Sequence, residues 1–154
     1  MDGGTRVVLV GILIVLWAVG CGGGGDGEAS ALTRAEFSKQ AERLCKRASV
    51  AKVVSLKRAL EQGPGRKLNE AEQERLVLTA ALPPVRAMAE KMAALEVTDD
   101  VASEARAIAD EFALAVTRIQ QDPRSALAAG FNNNVFNRAG RLSREFGLKA
   151  CAQI

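Results

Sequence analysis

The chain of 154 residues is long enough for one domain with a hydrophobic core, and its formal net charge of +3 is too small to indicate a nucleic-acid partner. It contains no His and no Tyr, so the commonest general base near neutral pH and the commonest transition-metal ligand are missing. The only Trp is Trp17. This composition counts against a conventional enzyme and against stacking on bases.

The first twenty residues have the three parts of a signal peptide. Arg6 and the amino terminus supply positive charge, residues 7–19 form an apolar run, and the small Gly20 precedes Cys21. The run is shorter than the roughly 20 residues that span a bilayer, which favours a signal peptide over a permanent transmembrane helix. An uncleaved signal anchor, whose Cys happens to follow a Gly, is the alternative. The Gly-rich residues 22–30 are typical of a flexible tether.

The sequence Ala18-Val19-Gly20-Cys21 resembles the lipobox of bacterial lipoproteins. In that family the Cys is acylated with diacylglycerol and becomes the first residue after cleavage. The resemblance implies a signal peptide at 1–20, a lipidated Cys21 with its tether at 21–32, and a folded domain at 33–154. The domain is then expected on the extracytoplasmic face of the cell membrane, held there by the lipid.

From Thr33 onward the apolar residues follow a helical period, and we predict an all-α domain: an antiparallel four-helix-bundle-like fold with a kinked second helix. Thr33 and Glu36 match a capping box that starts the first helix. Its apolar stripe comprises Phe37, Ala41, Leu44, Ala48 and Ala51, with Cys45 at the edge. Beyond Ala51 the stripe drifts to Val53, Leu56 and Leu60, which predicts a bend or a change of facing surface before Gly63-Pro64-Gly65 ends the helix.

A second start signal, Asn69 followed by Glu72, precedes a segment interrupted by Pro83-Pro84. One helical phase continues across both prolines, so we predict a kinked helix or two nearly coaxial ones; this stripe comprises Val77, Ala81, Val85, Met88, Met92 and Leu95. Met88 and Met92 are candidates for an adaptable ligand surface, but their helical spacing is more typical of core residues.

The third segment has the most regular stripe, after a cap near Thr98 or Asp99, and is expected at the centre of the core: Val101, Ala105, Ile108, Phe112, Ala115 and Ile119. Asp122-Pro123 ends this helix and predicts a short turn. A cap within Asn132–Asn134 precedes the last stripe, which ends at Gly147 and comprises Val135, Ala139, Leu142 and Phe146. Five phenylalanines are expected to fill most of the core: Phe37, Phe112, Phe131, Phe136 and Phe146.

Two groups of charged residues are candidates for chemistry. Inward carboxylates in a helical bundle can hold two metal ions, and the candidates are Asp99, Asp100, Glu104, Asp110 and Glu111. Such sites normally include Glu-x-x-His on two helices, so without His we expect neither a metal nor a cofactor. An enzyme would instead need a cluster such as Arg138, Arg141 and Arg144 facing an acid, and we expect no enzyme.

The three cysteines have separate expected roles. Assigning Cys21 to the lipid leaves Cys45 and Cys151 as an even pair in an oxidising compartment, which predicts a disulfide between the two ends of the domain. Catalytic thiols usually occur as Cys-x-x-Cys, so this pair is expected to be structural.

The whole arrangement resembles a class of small lipoproteins of high-GC bacteria. The lipobox and tether are followed by Ala35-Glu36-Phe37, by Cys45 and by the closing Gly147-Leu148-Lys149-Ala150-Cys151. The resemblance implies a location and a helical, disulfide-closed fold, not an activity.

We therefore expect a non-catalytic binding or spacer module of the cell envelope. Its expected partners are the membrane, through the lipid on Cys21, and an envelope protein, with no nucleic acid. The alternative is a carrier of a small apolar ligand between the helices. A large enclosed apolar pocket would favour the carrier, whereas a filled core with one exposed apolar patch would favour the binding module.

Overall fold

The computed structural model describes residues 30–63, 65, 67–128 and 135–154, and these confirm the predicted all-α, bundle-like fold. The residues of the predicted signal peptide, Cys21 and Asn132–Asn134 lie outside the described residues. The helices are α1 (Arg34–Glu61), α2 (Glu70–Leu76), α3 (Leu82–Ala93), α4 (Asp99–Gln121), α5 (Pro123–Ala128) and α6 (Asn137–Phe146). A π-helical turn, Val77–Ala81, joins α2 to α3, and a 3₁₀ turn, Cys151–Gln153, follows α6.

The helices alternate in direction. Helix α3 packs against both α1 and α4, and α4 packs against α6. The starts of α1 and α4 lie at the same end, where Arg34 pairs with Glu104 and the Leu32 main chain bonds to Glu96 and Thr98. The last residue of α6, Phe146, meets Phe37 at that same end, with the ring centroids 5.3 Å apart. The order along the bundle is therefore up, down, up, down.

Helix α1 begins as predicted, with Thr33 and Glu36 in a reciprocal capping box. The Glu36 carboxylate accepts hydrogen bonds from the Thr33 N–H and the Thr33 hydroxyl. These two bonds lower the pKa of Glu36, and the N–H contributes more. The helix runs without interruption to Glu61, so the predicted bend is absent, and the stripe drifts onto solvent, since Val53 and Leu60 are 60% and 51% exposed. The prediction that Ala51 belongs to the core is wrong, because Ala51 is exposed.

The predicted kinked second helix is a continuous helical run from Glu70 to Ala93 with a π turn in the middle. Pro83 and Pro84 have no N–H to donate to the carbonyls one turn back, which disfavours a regular α-helix there. The turn is widened just before them, and Leu82 N–H bonds to Val77 O, five residues back. This local change lets Val77, Ala81 and Val85 all stay buried on one side.

Two short elements differ from the predictions for the second half of the chain. The turn expected at Asp122-Pro123 is the short helix α5, whose first turn is capped by the Asp122 carboxylate accepting from Ser125 N–H at 2.9 Å. Helix α6 begins at Asn137 with Phe136 at its N-cap position, after the Asn132–Asn134 predicted as a cap. Gly147 ends α6 as predicted, with a φ of 94° that favours Gly.

Candidate functional site

The predicted disulfide between Cys45 and Cys151 is present, with its Cα atoms 5.0 Å apart. Both residues are buried, at 0% and 1% exposure, and Phe37 and Ala41 beside them on the α1 stripe are fully buried. A disulfide enclosed in this way is inaccessible to a thiol partner. Its role is therefore to join α1 to the segment that follows α6.

Two further contacts hold that final segment along α1. The Glu42 carboxylate accepts from Ala150 N–H at 2.9 Å, and Lys52 Nζ donates to the main-chain oxygen of Ile154 at 2.8 Å. Lys52 is only 8% exposed, and this burial lowers its pKa. The segment thus covers one flank of α1 as far as Lys52.

The outer side of α1 beyond its midpoint remains uncovered. At 100° per residue, Ala41 and Ala48 of the buried stripe fall about 180° and about 160° around the helix from Val50, so this side of α1 faces away from the bundle. Three valines on this side are open to solvent: Val50, Val53 and Val54 are 63%, 60% and 49% exposed. Large apolar side chains grouped in this way on a surface typically mark an interaction site.

Cations surround these valines. Five exposed cations fall on the same half of the helix as Val50 when successive residues are placed 100° apart. They are Arg43, Lys46, Arg47, Lys57 and Arg58. We call these five cations, with Val50, Val53 and Val54, the valine–cation face.

The charge of this stretch opposes that of the rest of the chain. Residues 43–60 contain six Lys and Arg and no Asp or Glu, whereas the other residues hold 15 Lys and Arg against 18 Asp and Glu, a net charge of −3. The net charge of the whole chain, +3, conceals this face because the acidic residues lie outside the stretch. A count by segment would have found it.

The cations of the face are little engaged by the protein itself. Lys57 Nζ lies 3.8 Å from the Glu61 carboxylate, but both side chains are mostly exposed, so this ion pair is weak. Arg43, Lys46, Arg47 and Arg58 form no ion pair with any residue that the structure describes. Four of the five are therefore available to an external anion.

A shallow groove of about 160 Å³ continues the face towards α3. Leu44, Ala48 and Met88 give it an apolar floor, and Arg47 from the valine–cation face and Lys91 from α3 also line it. The combination of apolar and cationic surface therefore extends onto a second helix.

The charged residues considered as candidate sites lie elsewhere. Glu104 pairs with Arg34, and Glu111 pairs with Arg138 at 2.9 Å, which ties α4 to α6. Asp99 and Asp100 occupy the first turn of α4, where their charge suits the helix dipole. Within the described part of the chain, no group of three or more His, Cys, Asp or Glu side chains is placed to hold a metal ion.

The space between the helices is filled by side chains. Met88 and Met92 are both 2% exposed and belong to the core, together with the fully buried Phe37, Leu82 and Phe112. A cleft of about 480 Å³ lies where α3 leads into α4, but its lining includes the charged Glu96, Asp99, Arg106 and Asp110. This arrangement favours the binding module over the carrier.

Cys21 lies outside the described residues, and among those described no helix is both long and apolar enough to cross a bilayer. No protein-family model matches the chain, and searches of curated proteins and of solved structures also give no match.

Proposed function

We propose that the protein is a membrane-anchored, extracytoplasmic lipoprotein whose helical domain is a non-catalytic binding or spacer module of the cell envelope. The observation that carries the binding role is the valine–cation face, an exposed apolar and basic surface on a domain whose core is filled and closed by a disulfide. The anchor is supported by the apolar run before Cys21 and the Gly-rich segment after it.

The anchor is tested by replacing Cys21. In bacteria supplied with a labelled fatty acid, the wild-type chain should carry the label and sediment with membranes. Cys21→Ala should lose the label, and the domain should be released or remain as an unprocessed precursor, because the acyl acceptor is gone.

The matched control is Cys45→Ala combined with Cys151→Ala, which removes the other two cysteines and leaves Cys21 in place. This double variant should keep the label. Labelling of Cys21→Ala at the wild-type level, with unchanged mass and fractionation, would refute the anchor.

A further inference from the structure

The valine–cation face has the composition of a surface that contacts lipid. Basic residues beside exposed apolar side chains on one helix are typical of helices that lie in the interface of an anionic membrane. The cores of protein–protein interfaces are instead enriched in aromatic residues, Met and Arg, and depleted of Lys. The face has three Arg, but it has no aromatic residue and no Met, and it includes two Lys.

We infer that the valine–cation face rests on an anionic lipid surface, so that the domain lies on its side with α1 against the membrane. The inference rests on the proposed function, which supplies the lipid anchor. It goes further by naming an anionic lipid surface as what the exposed face binds. The five cations meet the phosphate headgroups, while Val50, Val53 and Val54 reach the boundary with the acyl chains.

The length of the chain between the anchor and α1 permits this orientation. The twelve residues from Gly22 to Thr33 have a typical span of about 20 Å as a Gly-rich coil. Val53 lies 19 residues beyond Arg34, which is about 28 Å along α1. A helix that lies in the interface must begin within about 10 Å of the boundary with the acyl chains. The span of the tether, about 20 Å, is long enough to allow this.

The side that faces the membrane can be read from Trp reporters in the mature, lipidated chain. On the proposed processing this chain has lost Trp17, and Trp17→Phe excludes emission from any uncleaved precursor. A single Trp is introduced by Val53→Trp on the face or by Leu114→Trp. Leu114 is 40% exposed on α4, which packs on the other side of α3. Each protein is reconstituted into vesicles of phosphatidylcholine, with or without phosphatidylglycerol, that carry brominated acyl chains as quenchers.

In vesicles with phosphatidylglycerol, the reporter at position 53 should shift its emission to shorter wavelength and be quenched, and the reporter at 114 should not. In phosphatidylcholine alone both should stay unquenched. Raising the salt concentration should reduce quenching at 53, because it screens the attraction without changing the sequence.

Charge reversal provides the matched test. Lys46→Glu, Arg47→Glu and Lys57→Glu together should weaken docking by at least about a hundredfold, since each cation near an anionic surface contributes roughly a factor of five. Arg106→Glu, Arg118→Glu and Arg141→Glu make the same change in net charge at exposed positions off the face and should keep the quenching. Circular dichroism checks that both triple variants are folded. If the variant reversed on the face is unfolded, the milder triple variant Lys46→Gln, Arg47→Gln and Lys57→Gln takes its place.

The outcomes separate this inference from the anchor. If the chain sediments with vesicles but position 53 is not quenched in the anionic ones, the docking is refuted and the anchor stands. If the chain fails to sediment with neutral vesicles, the anchor is refuted. Equal quenching at 53 and 114 would refute the orientation, and docking on an acidic protein in place of lipid would leave position 53 unquenched by the bromine.

Discussion

Removal of the Cys45–Cys151 disulfide should lower the stability of the domain by a large fraction. The bond spans a sequence separation of 106 residues, for which the chain-entropy description gives about 4.7 kcal/mol, while measured gains are typically about 2–4 kcal/mol. A folded part of roughly 120 residues has an unfolding entropy that converts 1 kcal/mol into about 4 °C. We therefore expect Cys45→Ala with Cys151→Ala to lower the melting temperature by about 8–16 °C.

The assay is thermal unfolding followed by circular dichroism, with and without reductant. The reductant should lower the melting temperature of the wild-type chain but leave that of the double variant unchanged, which controls for its other effects. Membrane docking should survive in the double variant at moderate temperature, because the valine–cation face lies on a single helix. An unchanged melting temperature would refute the entropic argument and would leave the contacts of Glu42 and Lys52 as what holds the final segment.

Two further predictions concern Trp17 and Lys52. Because cleavage before Cys21 removes Trp17, the purified mature protein should show no Trp emission; a clear Trp signal would show that the signal segment is retained. Burial lowers the pKa of Lys52, so above that lowered value the folded state binds fewer protons than the unfolded state. The free energy of unfolding should therefore rise with pH from the lowered folded pKa up to the ordinary value of about 10.4, and Lys52→Met should remove this rise in denaturant titrations at a series of pH values. The same pH dependence in both proteins would contradict the assignment.

Local signals in the sequence predicted much of the fold. The two capping boxes, Thr33 with Glu36 and Asn69 with Glu72, are contacts across a single turn, so they can be read from spacing. The break in regular α-helix at the π turn before Pro83-Pro84 fits the missing N–H groups of the two prolines. The disulfide followed from the count of cysteines and the expected compartment, neither of which depends on the details of packing.

The errors occur where distant residues decide the outcome. Ala51 and Val53 continue an apolar pattern, but whether such residues are buried depends on which side of α1 the later helices pack against, and these helices lie elsewhere in the chain. The short helix α5 is stabilised partly from outside, because Arg124 pairs with Glu70 and Glu74 on α2. No helical period within residues 33–61 or 122–128 contains this information.

The placement of the valines connects the fold to the proposed function. Val50, Val53 and Val54 lie on the side of α1 away from its buried stripe, where no other described helix packs on them. The chain fixes its final segment to α1 with a disulfide nearer the buried side and leaves exposed cations around the uncovered valines. Five exposed like charges within sixteen residues repel one another, at a cost that is modest in water and that, within the described residues, is offset only by the weak Lys57–Glu61 pair. An anionic surface removes that repulsion and covers the valines in the same step, which is why we favour lipid over a neutral partner.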